Sequence, residues 1–490
     1  MTQTTSQPDK MSPRRVVGFA CNQGFIFFLF YMGQNRALTV GAFTFERADL
    51  IGALLFMVLA LLVLRLLSES SRRIVFSRPA LVLYALMLMT GSLLTQFLPD
   101  QALPWWLLES FLVGVSYAFL LASWGHSFGE APTKVSAPEV FFASFIGALF
   151  GITLSIIPLP SIELVFCLLP LASAAALLVP SQYSTKNSFL DLATPPSTAT
   201  KNAASNTKPI VVDEKDASKQ TALLTLKIMA GTALFGMAAG FMETFNTQPG
   251  TETMPAFGVA LLLFAAFALG TLSLLLSDGF GKGAALNKGY RLAIFVMLLG
   301  FLLLPSPLFV DSATKGEAII LAGYLGLSAV LISLFLVLAE ITNTSTTVSF
   351  SKGFAALFGG EVVGIFLANI LSTAQPGETN PYSVVVFAGI IVLFSYLFLF
   401  TERDFSNLSE IVTSADSFES TCQEFIARYS LSAREAEVLP FVLKGRTSDR
   451  ISRELFISKS TVETHLSHIY TKAGVHNRQE LIDLSDLLSS

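Results

Sequence analysis

Short polar side chains recur near the carboxyl end of the chain at helical spacing. In the segment 459–473, Val462, Leu466 and Ile469 repeat at intervals of four and three residues, which predicts the apolar stripe of one helix. The opposite face is then free for a partner, and its side chains can exchange hydrogen bonds with base edges in a DNA major groove. We expect base contacts from Glu463, Thr464, Ser467, His468 and Thr471.

Cations and hydroxyls around the same helix suit the DNA backbone. Lysine and arginine neutralise phosphates, and the N–H groups at a helix start bind anions together with nearby hydroxyls. The alternative is that these side chains are merely solvated. From Arg428 onward nine Lys and Arg oppose eight Asp and Glu, so nonspecific affinity for DNA should be modest. We expect phosphate contacts from Ser458, Lys459, Ser460, Thr461, Lys472 and Arg478.

Four helices must position this face, and local signals mark where each one begins. A serine followed three residues later by a glutamate is typical of a capping box, and glycine is typical of a helix end. The helices should share one core in which the apolar stripe packs against two earlier helices. The predicted starts are Ser432 with Glu435, Thr447, Ser458, and Asn477 with Glu480, and the predicted breaks are Gly445 and Gly474.

Several short motifs in this tail are specific. They are Leu431, Arg434, Glu435, Glu437, Val438, Leu439 and Gly445 at the start, then Thr461, Val462, Thr464 and His465 as T-V-x-T-H, Ile469 and Lys472 as I-x-x-K, and Asn477 with Arg478. On these residues, 431–484 resembles the DNA-binding domain of LuxR-type transcription regulators. The resemblance implies a four-helix helix-turn-helix domain, assigned to 429–490, that binds paired half-sites of double-stranded DNA as a homodimer.

Glu463 departs from that pattern, because family members often carry lysine at this position. A carboxylate there could accept a hydrogen bond from cytosine N4, or it could repel phosphate. Ser460 and Glu463 also have the spacing of a capping box, so the glutamate could instead cap the helix. Capping or simple solvation is favoured over base contact, and both interpretations stay open.

The rest of the chain has the composition of a membrane protein. Of 490 residues, 52% are hydrophobic and only 13% are charged, which is about half the charged fraction of a soluble domain. Apolar blocks recur that are long enough to cross a bilayer. They predict twelve spans, at 16–34, 49–68, 79–98, 104–124, 138–158, 161–180, 222–245, 255–277, 290–310, 317–340, 353–373 and 382–401.

The spans divide into two halves of six, 16–180 and 222–401. They follow a tail at 1–15, are separated by a polar segment at 181–221 that predicts a flexible cytoplasmic linker, and precede a connector at 402–428. Lys and Arg concentrate in the loops of one side, which predicts an inner (cytoplasmic) membrane protein with both termini in the cytoplasm. This organisation resembles the major facilitator superfamily of transporters, which implies an all-α bundle. The loop after the second span has only the basic residues of that family's signature.

Ionisable groups inside spans are costly, so they mark candidate sites. In the resembled superfamily the first, fourth, seventh and tenth spans line a central cavity, which implies a polar cavity here. Such a site would suit a cation, an amine or a proton relay. The alternatives are that the two amides bond another helix and that carboxylates near span ends snorkel. The candidates are Asn22, Gln23, Glu109, Glu243, Glu340 and Glu361, with Glu361 favoured because it lies mid-span among glycines.

Together these features predict a membrane-bound one-component transcription regulator, in which the bundle senses a small molecule and controls DNA binding by the tail. About 30 residues separate the last span from Leu431, too few for a receiver domain. One alternative is a transporter with a regulatory DNA-binding tail, and another is a membrane protein whose tail binds protein. The chain lacks a phosphate-binding loop, a paired-histidine motif and a nucleophile elbow, so we expect neither an enzyme nor a metal or cofactor.

Overall fold

A computed structural model describes most of the chain, and it separates into two compact units. The described residues of the second unit lie between 418 and 489, and all other described residues up to 396 belong to the first. The described residues are 11–32, 35–41, 43–97, 103–156, 162–179, 214–244, 256–277, 282–303, 313–341, 344–374, 381–396, 418, 421–455 and 457–489.

The first unit is built almost wholly from helices. They are α1 (Pro13–Tyr31), α2 (Ala48–Leu66), α3 (Glu69–Val75), α4 (Arg78–Phe97), α5 (Leu103–Gly129), α6 (Thr133–Ile156), α7 (Ile162–Leu178), α8 (Glu214–Thr244), α9 (Phe257–Leu276), α10 (Lys282–Leu303), α11 (Ala313–Ile341), α12 (Thr346–Ala374) and α13 (Pro381–Phe394). Of the predicted linker, 181–213 lies outside the described residues. Its last part, 214–221, already belongs to α8 and is helical.

Eight of the helices that the structure describes are long and apolar enough to cross a membrane. They are α2, α5, α6 and α8 to α12, and α4 and α7 contain shorter apolar segments. The chain is a multi-pass membrane protein, as its composition predicts. The count of twelve spans stays a prediction.

Apolar side chains and close helix approaches hold this bundle together. Helix α1 packs against α6 and α7, and α12 packs against both α8 and α2. The α8–α12 contact brings the two backbones together, because a Cβ atom added to any of four glycines would collide with a backbone carbonyl oxygen of the other helix. Those glycines are Gly236, Gly240, Gly360 and Gly364.

A short hairpin between α1 and α2 is a local departure from the all-α prediction. Strand β1 (Leu38–Val40) pairs antiparallel with β2 (Phe43–Phe45), with Thr39 opposite Thr44. Gly41 sits in the turn with φ +65, a conformation that glycine adopts without strain. After β2 the chain enters α2 through Arg47, which is also left-handed, with φ 53.

The second unit contains the four helices that the capping signals predict. They are α14 (Ala433–Leu443), α15 (Ser448–Glu454), α16 (Lys459–Ala473) and α17 (Arg478–Ser489). Ser432 and Glu435 form the complete capping box, and Thr447 and Ser458 each accept a backbone N–H at the next two helix starts. At the fourth start, the Asn477 Oδ1 accepts from the Glu480 N–H at 2.9 Å. The four predicted starts are therefore confirmed.

One core joins these helices, and it includes a residue from outside the predicted domain. Val462, Leu466 and Ile469 of α16 are buried against α14 and α15, which confirms the predicted apolar stripe. Phe425 is fully buried in the same core although the sequence assigns it to the connector. The packed unit therefore extends to the amino-terminal side of 429.

Candidate functional sites

The outer face of α16 (Lys459–Ala473) presents every predicted base-contacting residue to solvent. Glu463, Thr464, Ser467, His468 and Thr471 are all exposed, because they lie opposite the buried stripe. No residue of this face is needed to fill the core. These short polar side chains are of the kind that reach base edges in a groove about 12 Å wide.

The threonine hydroxyls of this face have partners within their own helix. The Thr464 hydroxyl donates to the Ser460 carbonyl at 2.9 Å, and the Thr471 hydroxyl donates to the Ser467 carbonyl at 2.8 Å. Such bonds fix the hydroxyl rotor while leaving the oxygen lone pairs available as acceptors. The methyl groups of both threonines also remain available to contact a thymine methyl.

Ser458 caps α16, and this decides whether Glu463 forms a capping box with Ser460. The Ser458 Oγ accepts from the Thr461 N–H at 3.0 Å and lies 2.7 Å from the Ser460 Oγ. Ser460 is thus inside the first turn and does not cap the helix, so the alternative capping box of Ser460 and Glu463 is not formed. Glu463 projects into solvent.

Lys472 makes an ion pair across the domain. Its Nζ lies 2.7 Å from the Glu435 Oε2 and donates to the Ser430 carbonyl at 3.1 Å. The hydrogen bond from Lys472, followed by those of the capping box, lowers the pKa of Glu435 to about 2. His468 Nδ1 is 3.6 Å from the other Glu435 oxygen. The Lys472 ammonium group, which is predicted to contact a DNA phosphate, therefore also joins α16 to the start of α14.

The other predicted phosphate-contacting cations differ in their surroundings. Lys459 is exposed at the start of α16. The Arg478 guanidinium donates to the Arg446 carbonyl and so links α17 to the turn after α14. Ser458 and Thr461 are exposed beside Lys459, so the helix start offers hydroxyls, N–H groups and one cation together.

In the membrane unit, two of the predicted candidates meet in a buried polar cluster. Glu243 of α8 and Glu361 of α12 are buried and interact electrostatically with each other and with Arg47. The Tyr324 hydroxyl donates to the Glu361 carboxylate at 2.9 Å. Tyr31 faces Glu243. We name Arg47, Glu243, Glu361, Tyr31 and Tyr324 the buried charge cluster.

The remaining candidates lie elsewhere in the bundle. Glu109 is buried but pairs with Arg36, 3.6 Å away. Asn22 is buried facing Tyr117, and Gln23 packs its Cβ against Gly147 of α6, which agrees with a role in helix packing. Glu340 lies near the end of α11, and its side chain is outside the described residues.

Comparison with known proteins bears on the second unit. Residues 429–485 match the family of bacterial regulatory proteins of the luxR type. Over 53 residues the chain is 45% identical to the oxygen regulatory protein NreC of Staphylococcus aureus strains JH9 and JH1. The carboxyl-terminal unit is a LuxR-type domain. This match covers 11% of this chain and 24% of the length of NreC, so it concerns the DNA-binding domain alone.

The chain is also similar in fold to solved membrane transporters. Against the proton:xylose symporter XylE of the major facilitator superfamily, 81% of this chain and 97% of the symporter align at 13% identity and a TM-score of 0.48. A bacterial homologue of the iron transporter ferroportin aligns over 81% of this chain and 98% of its own length, at 11% identity and a TM-score of 0.43.

The sequence analysis missed two buried arginines. Arg47 follows a loop and is expected at the surface, yet it is 1% exposed within the buried charge cluster. From sequence, Arg15 is only one of the basic residues that precede the first predicted span. In the structure it pairs with Glu139 of α6 at 2.8 Å, and both side chains are buried. Glu139 lies just inside the start of a predicted span, and its presence beside an apolar run is the signal that could have identified it.

Proposed function

We propose that the protein is a membrane-bound one-component transcription regulator. A small molecule binds the membrane bundle, the conformation of the bundle changes, and the LuxR-type domain changes its affinity for specific DNA sites. The single observation that carries the proposal is a LuxR-type domain with an exposed recognition face in the same chain as a multi-pass membrane region. Control of one site by the other requires that the ligand bind two conformations with different affinity.

The charge distribution supports an orientation that such a regulator needs. Arg14, Arg15, Arg72 and Arg73 fall in the segments before the first and after the second predicted span, on the same side as the chain's carboxyl terminus when the spans are counted. The proposal therefore includes an inner-membrane location with both termini in the cytoplasm, which this distribution of charge supports. The LuxR-type domain then has access to DNA.

Binding to DNA should need two copies of the domain. The luxR resemblance implies paired half-sites, and the domain surface has little net positive charge to add nonspecific affinity. Several of its arginines form ion pairs on the surface, such as Arg450 with Glu454 at 2.9 Å and Arg453 with Asp449 at 2.6 Å. Attachment to one membrane would keep two copies at high effective concentration.

Footprinting with the intact protein in nanodiscs tests the proposal on DNA from around its own gene. Thr464→Ala should change which sequences are protected, because this exposed side chain lies on the face proposed to contact base edges. Lys459→Ala should weaken all sites alike and lower the salt slope by about one, because it removes a phosphate contact. Protection of no sequence by the wild-type protein, or equal effects of both variants on specific and random DNA, contradicts the proposed recognition face.

A transporter with a regulatory tail is the second candidate, and the buried charge cluster favours it. Buried charges in membrane proteins mark substrate and ion pathways and proton relays. A chain ending at residue 401 in sealed vesicles distinguishes the two. Accumulation of a ligand that the intact protein binds would establish transport, whereas binding without flux supports a sensor.

A further inference from the structure

Arg47 has a charged side chain inside the bundle, with two donors for which no described residue supplies an acceptor. Its Nη2 donates to the Phe30 carbonyl at 2.6 Å, and its backbone N–H donates to the Asn35 side-chain oxygen at 2.9 Å. Nε and Nη1 have no hydrogen-bond partner within the described part of the chain. The side chain is 1% exposed, and its backbone is left-handed with φ 53. A strained backbone that buries unused donors indicates a functional site.

The Glu243 carboxylate, in turn, lacks hydrogen-bond donors among the described residues. It is 4% exposed, and although Tyr31 faces it, neither carboxylate oxygen makes a hydrogen bond of normal geometry to a described residue. Arg47 acts on this carboxylate electrostatically, but its free Nε and Nη1 do not bond to it. Buried charged groups are costly unless they are paired and hydrogen-bonded. The open donors and the open acceptor therefore call for a molecule between them.

A small cavity and a pair of reciprocal hydrogen bonds lie near the cluster. The cavity is the size of one water and lies beside Glu243, and its lining includes a second carboxylate, that of Glu317, together with Met242, Ile320, Leu321 and Tyr324. Just outside the cluster, Glu46 and Asn369 join the start of α2 to α12 by two bonds. The Glu46 N–H donates to the Asn369 side-chain oxygen at 2.6 Å, and the Asn369 amide donates back to the Glu46 carbonyl at 3.2 Å. We call this reciprocal pair the clasp.

We propose that Arg47 and Glu243 bind a small zwitterion of the amino-acid class. The ligand's carboxylate would accept one charge-assisted hydrogen bond from Nη1 of Arg47, because the N–H groups of Nε and Nη1 point to opposite sides of the planar guanidinium. Its ammonium group would donate to Glu243, and an apolar side chain would enter the cavity at Met242 and Leu321. The cavity in its present form holds only a water, so binding requires the helices around it to move apart, and the clasp beside Arg47 is one contact that such a movement would break. The inference rests on the proposed sensing function and names the ligand class.

Glu361 has a different part in this arrangement. Its carboxylate already accepts from the Tyr324 hydroxyl, so it is a less available partner for the ammonium group than Glu243. In this proposal the ligand touches Arg47 and Glu243, and Glu361 keeps its bond to Tyr324.

Binding to the intact protein in nanodiscs, without DNA, tests the site. Each standard amino acid is screened by the shift it causes in the unfolding temperature, and each ligand found is compared with its decarboxylated amine and its deaminated acid. At least one amino acid should bind, and both analogues should bind about 30-fold more weakly or worse. Glu243→Gln, which preserves side-chain shape, should lose binding by a similar factor, and so should Arg47→Gln. Glu109→Gln is the matched control, because that buried glutamate pairs with Arg36 instead.

Three results would overturn the assignment. They are the absence of binding by any standard amino acid up to about 10 mM, equal binding of the amine alone, and unchanged binding by a folded Glu243→Gln variant. The last would mean that water alone bridges the two charges. Footprinting with and without the bound amino acid separates the two proposals. Binding that leaves DNA protection unchanged contradicts the sensing function but keeps the site, and DNA regulation without amino-acid binding contradicts the site alone.

Discussion

Replacing Glu435 by glutamine should destabilise the LuxR-type domain in a pH-dependent way. The carboxylate pairs with Lys472 and completes the capping box at Ser432. Its pKa falls from an ordinary 4.5 to about 2, which at about 1.36 kcal/mol per pKa unit sets an upper limit of about 3.4 kcal/mol. The Lys472 side chain is 37% exposed, so screening by water lowers the expected loss at pH 7 to about 1–2 kcal/mol.

The pH dependence has a defined sign. A carboxyl whose pKa is lower in the folded state stabilises that state fully above its unfolded pKa of 4.5, and the contribution disappears as pH falls towards 2. Wild type and Glu435→Gln should therefore differ at pH 7 and converge between about pH 4.5 and 2. Urea unfolding of a fragment comprising 409–490, which has its own core, measures this by circular dichroism.

The matched control is a second glutamate of the same helix. Glu437 pairs with Arg434 at 2.7 Å on the surface, where the two side chains are 43% and 71% exposed. Such pairs contribute about 0.2–1 kcal/mol, so Glu437→Gln should change the free energy of unfolding little. Equal losses for the two variants would refute the reasoning. A Glu435→Gln defect of constant size down to pH 2 would refute it as well.

Three further outcomes follow from the packing and the caps. Gly360→Ala should lower the unfolding temperature of the detergent-solubilised protein, since the new Cβ collides with α8, whereas Gly359→Ala meets nothing within 4 Å and should be tolerated; similar behaviour would contradict the α8–α12 contact. Ser458→Ala should cost the domain about 1 kcal/mol in urea unfolding and Ser460→Ala much less, and the reverse order would mean that Ser460 is the cap. Glu139→Gln should destabilise the membrane region by about 3 kcal/mol, measured by thermal unfolding, because Arg15 stays buried without its counter-charge; an unchanged unfolding temperature contradicts this.

Local signals predicted the LuxR-type domain better than any other part. Ser432 with Glu435 and Gly474 act through backbone groups a few residues away, so sequence spacing is enough to find them. Two serines, Ser458 and Ser460, each precede a polar residue by three positions, so either one could cap α16. Spacing alone could not choose between them, and the structure selects Ser458.

Contacts between distant residues could not be read in the same way. Lys472 looks like an ordinary surface cation until folding brings Glu435, 37 positions earlier, to its ammonium group. Arg47 looks like a loop residue, and its burial depends on helices α1, α8 and α12 meeting around it. The hairpin at 38–45 was missed because three-residue strands are too short to show a period.

The exposed face of α16 has a consequence for how the LuxR-type domain can change over evolutionary time. Thr464, Ser467 and Thr471 are exposed and lie outside the core, and the two threonine hydroxyls bond only within their own helix. If this face reads DNA as proposed, substitutions there change the preferred operator while the domain keeps its stability. Glu435 and Lys472 hold the same helix from behind and are constrained by each other. The residues that could change the DNA preference are therefore different from the residues that stabilise the fold.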